Sequence, residues 1–139
     1  MINPKDVVTI KVPYPDISAG LAQQAHMYIC YRNNQESKHL VKCQRFKGYM
    51  LEKDFMKHCV QEPADPTRNP FKAFTVIDCD KLFLFQGVKI PLVLRTKSRP
   101  DICQDLFNTV NAELVTDGYE EHNIEVAPLL ELNFLIQGA

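Results

Sequence analysis

Residues 26–46 read HMYICYRNNQESKHLVKCQRF, and this stretch decides the fold. Two runs rich in β-branched and aromatic residues, 26–32 and 38–46, are separated by the polar sequence NNQES. A five-residue polar connection between two such runs is typical of an antiparallel β-hairpin. We therefore predict that the two runs pair, with a connection that extends from Asn33 to Ser37.

The length of this connection fixes which residues lie opposite one another. It pairs Arg32 with Lys38, Cys30 with Leu40, Tyr28 with Lys42 and His26 with Gln44. One face of the hairpin then lies on the core and carries Met27, Ile29, Tyr31, Val41 and Cys43, with His39 and Arg45 at its ends. The other face is predicted to be exposed to solvent and carries His26, Tyr28, Arg32, Lys38, Lys42 and Gln44.

The exposed face combines a proton-transferring group with cations and an aromatic ring. Metal-free RNA cleavage needs a group that takes the 2′-hydroxyl proton, one that protonates the leaving oxygen, and cations or amides that stabilise the phosphorane. We predict proton transfer by His26 and stabilisation of the phosphate by Lys42 and Gln44. The predicted substrate-binding residues are Tyr14 or Tyr28, which would stack on a base, and Arg32 and Lys38. The same residue types also suit a solvated sheet edge without catalytic function.

The flanking sequence extends the sheet on both sides. Residues 6–12 alternate as a half-buried strand does, and the prolines of VPYPD end it, so residues 14–24 are predicted to form a surface loop. After the proline-rich stretch 61–70, short strands are predicted at 73–78, 81–85 and 88–95. Apolar residues four apart predict an amphipathic helix over 98–115, and a weaker pattern predicts a short helix over 49–60. The tail after residue 121 fits a strand or a helix.

Composition restricts the classes of function. The chain has 139 residues, about the length of one domain. Its formal net charge is −1, so the protein has no overall basic field and any nucleic-acid binding must be local. Residues 31–58 hold seven basic against three acidic residues. The five cysteines form no CxxC pair, which favours buried thiols over a metal site. The sequence contains no nucleotide-binding or hydrolase motif, and we predict no metal and no cofactor. It also contains no signal peptide and no apolar stretch long enough to span a membrane, so we predict no membrane association and a cytoplasmic location.

The order of these elements resembles the MazF/PemK-type toxin family, bacterial growth inhibitors built on a small SH3-like β-barrel with a C-terminal helix. DVVTIKVPYPD (6–16) is similar to the opening strand and first loop of that family. QAHMYICYRNN (24–34) and HLVKCQRFK (39–47) occupy the places of its hairpin. AFTVIDCDKLFLFQG (73–87) and RPDICQDLFNTVNAEL (99–114) resemble its late strands and its closing helix.

The resemblance implies a function, but this chain lacks the two residues that the family uses for catalysis. Active members of the family cleave single-stranded RNA without a metal, using the Arg of an Arg-Pro pair and a Ser or Thr near the end of the following strand. They act as homodimers whose groove receives an antitoxin segment. The corresponding positions here are Ala25-His26 and Cys43-Gln44, so neither catalytic residue carries over. Either His26 and Gln44 substitute by different chemistry, or the chain has lost cleavage and kept a binding surface.

We therefore predict a single domain over residues 1–139, mainly β, an SH3-like β-barrel with a C-terminal α-helix and one short additional helix. The first functional hypothesis is a toxin-like RNA-binding protein, a metal-independent endoribonuclease of a toxin–antitoxin system. Its partners would be single-stranded RNA, an antitoxin peptide and a second copy of the chain. The second hypothesis is a non-catalytic barrel, phage- or mobile-element-associated, that binds a protein or peptide; the missing Arg and the acidic second half of the chain favour it.

Overall fold

The computed structural model describes residues 1–34, 36–51, 57–116 and 118–138. Its strands are β1 (Val7–Ile10), β2 (His26–Asn33), β3 (Ser37–Arg45), β4 (Cys59–Glu62), β5 (Thr75–Asp78), β6 (Lys81–Gln86), β7 (Val88–Lys89), β8 (Glu120–Asn123) and β9 (Gln137–Gly138). Its α-helices are α1 (Gly20–Gln23), α2 (Gln104–Thr116) and α3 (Val126–Leu132), and 3₁₀ turns lie at Gly48–Leu51 and Leu92–Leu94. The predicted mainly β fold with a C-terminal helix is confirmed.

Strand β3 is the centre of the main sheet. It pairs with β2 on one side, while on the other side its first half pairs with β6 and its last residues pair with β5. Strand β1 lies outside β2, β4 lies outside β5, and β8 runs parallel to β6. Because β1 and β4 end the path of paired strands, the pairings among the described strands do not close into a barrel.

The hairpin register is confirmed near its open end and is wrong near its connection. Tyr28 lies opposite Lys42, and Cys30 opposite Leu40, as predicted. A β-bulge between Cys30 and Arg32 then shifts the register, so Arg32 lies opposite His39 rather than Lys38. The connection is also shorter than predicted, because β2 continues through Asn33 and β3 begins at Ser37; Gln35 lies outside the described residues.

Both faces of the hairpin are covered, which corrects the prediction of one exposed face. As predicted, Ile29 and Val41 pack in a core with side chains of α2, such as Val110. On the opposite face, Tyr28 and Leu40 are buried in a second core with residues of β1, β6 and α3, among them Val8, Phe83 and Leu129. A sheet covered on both faces has consecutive buried residues along its strands, as residues 28–31 show.

Helix α2 begins later than the sequence predicts. The segment before the helix is held against β1. The Val7 amide donates to the Pro100 carbonyl, and the backbones of Asp6 and Asp101 form an isolated antiparallel β-bridge. Ser98 therefore does not cap the helix, which starts at Gln104. The buried side chains of α2 are those that the apolar spacing predicts: Leu106, Val110 and Leu114.

The remaining differences fall on short elements. The loop predicted over 14–24 contains α1, and the strand predicted over 88–95 stops after Lys89, because Pro91 cannot donate to a ladder and a 3₁₀ turn follows. Of the short helix predicted over 49–60, Gly48–Leu51 form a 3₁₀ turn, residues 52–56 lie outside the described residues, and Cys59 begins β4. The tail forms a strand, a helix and a second strand. Within the described ranges, no helix is long and apolar enough to cross a membrane.

Candidate functional site

A pocket at the open end of the hairpin brings together four of the predicted site residues. It has a volume of ≈ 420 Å³ and is lined by Tyr14, His26, Lys42 and Gln44. We call it the lysine pocket, because Lys47 and Lys81 also line it. No carboxylate is among the described residues that line it. The arrangement is therefore a concave, cationic surface with an imidazole, an amide and phenol rings.

Four separate parts of the chain build the lysine pocket. His26 is the first residue of β2, where it pairs with Ile10 of β1, and Lys42 and Gln44 are alternate residues of β3. Lys81 is the first residue of β6. The loop before α1 contributes Tyr14, whose ring packs edge-on against Phe83 at 5.1 Å between centroids. The Tyr14 ring is thus fixed by the core beneath it.

Within the described residues, the hydrogen bonding of His26 leaves one ring nitrogen available. Its Nδ1 lies 2.9 Å from the carbonyl oxygen of Gln24. A carbonyl oxygen can only accept, so Nδ1 carries the hydrogen of that bond, and Nε2 of the neutral ring holds the lone pair. The side chain is partly exposed at the wall of the pocket. His26 can therefore accept a proton at Nε2 from a bound molecule.

A buried carboxylate positions two of the lysines. Asp78 Oδ2 lies 3.4 Å from Lys42 Nζ and 3.9 Å from Lys81 Nζ, and the Asp78 side chain is only 2% exposed. Burial lowers the pKa of Lys42, the neighbouring Asp78 opposes that shift, and Lys81 adds to it. Because two ammonium groups share one carboxylate, positive charge remains at the pocket for an anionic ligand.

Gln44, a lining residue of the lysine pocket, has an unsatisfied polar atom. Its Oε1 is buried and has no hydrogen-bond partner among the described residues. A buried acceptor without a donor costs free energy, and native structures leave few such atoms. Because Oε1 is shut off from solvent, it is not itself exposed to a ligand in the pocket.

Tyr28, Arg32 and Lys38 do not join this pocket. Tyr28 is fully buried beside Phe83, so it has no free face for a base, and burial raises the pKa of its phenol. Lys38 is only 1% exposed; its Nζ donates to the Val88 carbonyl at 2.7 Å, and burial lowers its pKa. The Arg32 guanidinium lies 5.1 Å from the centroid of the Tyr31 ring. The second core and the bulge separate these residues from the predicted surface.

Two lysines and a tyrosine of the lysine pocket, Lys47, Lys81 and Tyr49, were not predicted from the sequence. Lys47 and Tyr49 follow β3, where a hydrogen bond from the Met50 amide to the Lys47 carbonyl closes the 3₁₀ turn. The excess of basic residues over 31–58 was the only signal for Lys47. Lys81 approaches Lys42 because both contact Asp78, and no local pattern predicts that contact.

A second, smaller pocket lies on the other side of His26 and Gln44. It has a volume of ≈ 220 Å³, and these two residues line both pockets. We call it the Phe71 pocket; its other lining residues are Ala25, Met27, Cys43, Arg45, Phe71, Lys72, Ala73 and Thr75. His26 and Gln44 thus form a wall between a cationic pocket and a more apolar one.

The cysteines offer no comparable chemistry. Cys30, Cys43 and Cys79 are buried free thiols, and burial raises the pKa of Cys30 to about 12. A thiol with a raised pKa is a poor nucleophile, since the thiolate is the reactive form. Over the described part of the chain, no group of three or more His, Cys, Asp or Glu side chains could hold a metal ion.

No family model, curated protein or solved structure matches this chain. The resemblance to MazF/PemK-type toxins therefore stays a prediction, based on the order of elements and on the sequence segments quoted above. The case for function rests on the geometry of the lysine pocket.

Proposed function

We propose that the lysine pocket binds the phosphodiester backbone of single-stranded RNA and cleaves it without a metal, as the first sequence hypothesis predicts. One observation carries the proposal: His26, Lys42, Gln44, Tyr14 and Lys81 come from four separate parts of the chain and meet in one cationic pocket. Proton transfer, charge stabilisation and stacking would then act on the same bound strand.

Binding would depend on the lysines. A phosphodiester carries one negative charge, and Lys42 and Lys81 are held in place before binding by Asp78. Holding two side chains in advance reduces the conformational entropy that binding would otherwise cost. Tyr14 and Tyr49 at the same pocket supply aromatic rings for stacking of bases, the usual sequence-tolerant contact with single strands.

Cleavage would use His26 and Lys42 as a pair. His26 Nε2 takes the proton of the ribose 2′-hydroxyl, and the resulting oxygen attacks phosphorus. The bond from phosphorus to the 5′-oxygen breaks, and the Lys42 ammonium gives that oxygen a proton, leaving a 2′,3′-cyclic phosphate and a 5′-hydroxyl end. The lowered pKa of Lys42 makes it a stronger acid than an exposed lysine. Lys81 and the Gln44 amide stabilise the charge on the phosphorane.

The biological setting follows from the resemblance alone. RNA cleavage would make this chain a toxin of a toxin–antitoxin system, acting in the cytoplasm. An antitoxin peptide and a second copy of the chain would then be its partners. The toxin role, the cytoplasmic location and both partners remain predictions.

Binding is tested with a fluorescent single-stranded RNA in EDTA over a series of salt concentrations. Each phosphate contact contributes about −0.7 to the slope of log affinity against log salt for a single strand. We expect a clear negative slope that becomes shallower by about that amount in Lys47→Ala. Lys97→Ala is the matched control, since Lys97 is exposed and its Nζ donates to the Val93 carbonyl. An affinity independent of salt would contradict RNA binding.

Cleavage is tested with the same RNA in EDTA, separating the products under denaturing conditions. The unmodified protein should produce 2′,3′-cyclic phosphate ends, and His26→Ala should produce none. Cleavage that requires an added divalent metal contradicts the mechanism. Cleavage that is unchanged in His26→Ala shows that His26 is not the base.

The second hypothesis, binding of a protein or peptide, is favoured by one surface. A pocket of ≈ 530 Å³ is lined by the apolar side chains of Met1, Ile90, Pro91, Val93 and Leu135 and by Lys89. Phe134, next to Leu135 in the chain, is 86% exposed. Exposed apolar patches commonly mark interaction sites, and a lysine at the rim favours a peptide with acidic and apolar residues. Such binding would depend only weakly on salt.

A further inference from the structure

We infer that a further pocket, reached across Lys81 from the lysine pocket, holds the neighbouring nucleotide of the bound RNA strand. It has a volume of ≈ 670 Å³, and its lining includes Lys57, Asp80, Lys81, Tyr119 and Glu120. We call it the Tyr119 pocket. Lys57 contacts the phosphate of that nucleotide, and Tyr119 stacks on its base. The inference rests on the proposed function, because it extends the path of the strand beyond the lysine pocket.

Lys81 connects the two pockets, because this residue lines both of them. It is the first residue of β6, and its Nζ lies 3.9 Å from the Asp78 carboxylate, which holds the side chain in place before binding. A strand that leaves the lysine pocket in this direction therefore keeps a cation beside its backbone. Single-strand binding sites commonly track the backbone with positive charge in this way.

Hydrogen bonds to Asp80 bring together the three chain segments that form the Tyr119 pocket. Its Oδ2 accepts the Lys57 amide at 2.8 Å, and its Oδ1 accepts the His58 amide at 3.1 Å. Its carbonyl oxygen accepts the amide of Glu120, the residue after Tyr119, at 2.9 Å. Lys57 and Tyr119 are distant in the sequence, and their contacts with this one residue place them at the same pocket.

The two carboxylates in the described lining of the Tyr119 pocket contact protein groups. Asp80 accepts the two backbone amides, and Glu120 Oε2 lies 3.2 Å from His122 Nε2. Lys57 is exposed and Lys81 lies at the same pocket, so a phosphate has two ammonium groups within the lining. The carboxylates make this pocket less cationic than the lysine pocket, and we expect the base to contribute more than the phosphate.

Tyr119 supplies the aromatic surface for that base. Its side chain is partly buried and packs against the core that contains Val110, and it also lines the pocket. A ring that the core already holds loses little conformational freedom when a base stacks on it. Stacking on an aromatic ring accepts any base, so the Tyr119 pocket extends the site without selecting a sequence.

The test compares two RNA decamers, one of uridine and one with the same backbone and no bases. Both carry 2′-O-methyl groups, which prevent cleavage, and binding is followed by fluorescence anisotropy in EDTA. Stacking of a base on an aromatic side chain contributes about 1–3 kcal/mol, so Tyr119→Leu should bind the uridine decamer at least about fivefold more weakly. The abasic decamer should bind Tyr119→Leu and the unmodified protein equally, because it has no base to stack.

Matched variants locate the effect. Phe134→Leu removes an aromatic ring that is 86% exposed beside the apolar pocket of Met1 and Leu135, and it should change neither affinity. Lys57→Ala should make the slope of log affinity against log salt shallower by about 0.7, whereas Lys97→Ala should leave the slope unchanged. Thermal unfolding verifies that the variants fold, and the exposed position of Lys57 keeps the test informative if Tyr119→Leu does not.

The outcomes separate the inference from the proposed function. If Tyr119→Leu binds the uridine decamer as tightly as the unmodified protein does, RNA binding stands and the stacking is overturned. The stacking is also overturned if binding of the abasic decamer weakens by the same factor. An unchanged salt slope in Lys57→Ala overturns the phosphate contact. If the uridine decamer does not bind the unmodified protein, the proposed function and the inference fail together.

Discussion

Lys38 and Lys42 lie four residues apart on β3, with side chains on the same face of the sheet, and yet their surroundings differ. The Lys38 ammonium donates to a backbone carbonyl inside a core, and the side chain is 1% exposed. Lys42 reaches a pocket, where its side chain is 13% exposed and faces the Asp78 carboxylate. Burial lowers the pKa of both. The comparison shows that a lysine at one end of β3 can have a structural role, while a lysine on the same face at the other end is available to a ligand.

Removing the carboxylate should produce the largest change. Asp78→Ala leaves Lys42 partly buried without its counter-ion and also removes the acceptor for the Asp80 amide. Breaking a buried ion pair from one side typically costs about 3–5 kcal/mol, and we expect a loss of about 3 kcal/mol in the free energy of unfolding. Urea denaturation measures it. Asp65→Ala is the control, because the Asp65 carboxylate is exposed and accepts hydrogen bonds from Thr67 only two residues away. It should lower the free energy of unfolding clearly less, and equal losses would show that the ion pairs of Asp78 do not stabilise the fold.

Shortening Lys38 should be the next largest effect, and it should appear in stability alone. Lys38→Ala opens a cavity between the hairpin and β7, with an expected loss of about 2–3 kcal/mol. Lys38→Met fills that space and removes the buried ammonium, so it should recover most of the loss. The RNA affinity of the folded Lys38→Met protein should equal that of the unmodified protein, and a clear weakening would contradict the contrast with Lys42.

Shortening Lys42 should act on binding. A hydrogen bond to a charged group contributes about 1.5–3 kcal/mol, so Lys42→Ala should weaken binding of single-stranded RNA at least tenfold. The comparison with Lys38→Met, at the same salt concentration, shows whether the loss belongs to the pocket. Similar RNA affinities for the two variants would contradict the conclusion that Lys42 contacts the ligand and Lys38 does not.

The smallest expected effect is a shift in pH dependence. The protonated form of Lys42 binds phosphate, and its pKa is lowered from 10.5, first of all by burial. RNA affinity should therefore fall as pH rises through that lowered pKa, at a pH below 10.5. Lys42→Arg keeps its charge through this range, because a guanidinium does not deprotonate in proteins, and it should retain affinity to higher pH. Identical profiles for the two proteins would show that Lys42 does not carry the contact.

The sequence predicted part of the candidate site for a local reason. Alternation along 26–32 and 38–46, joined by a short polar connection, was enough to place Tyr28 opposite Lys42. The bulge between Cys30 and Arg32 was not predictable, because one extra residue in a strand leaves the composition of the run unchanged. The predicted pair beyond the bulge, Arg32 with Lys38, was accordingly wrong.

Burial could not be predicted from the hairpin, because the covering residues are distant in the chain. Phe83 of β6 and Leu129 of α3 cover the face that carries Tyr28, while the open end near His26 and Gln44 stays accessible. One of the two unpredicted lysines of the pocket, Lys81, likewise comes from β6 and is held by Asp78 at the end of β5. Contacts of this kind depend on strand pairing across long sequence separations.

By itself, the sequence determined the mainly β class, the hairpin and the buried face of α2, since periodicity and turn chemistry act over a few residues. Only the tertiary structure decided which polar residues of the hairpin meet solvent. A polar face is buried or exposed according to what packs over it, and that packing is fixed by the whole chain rather than by the strand that carries the face.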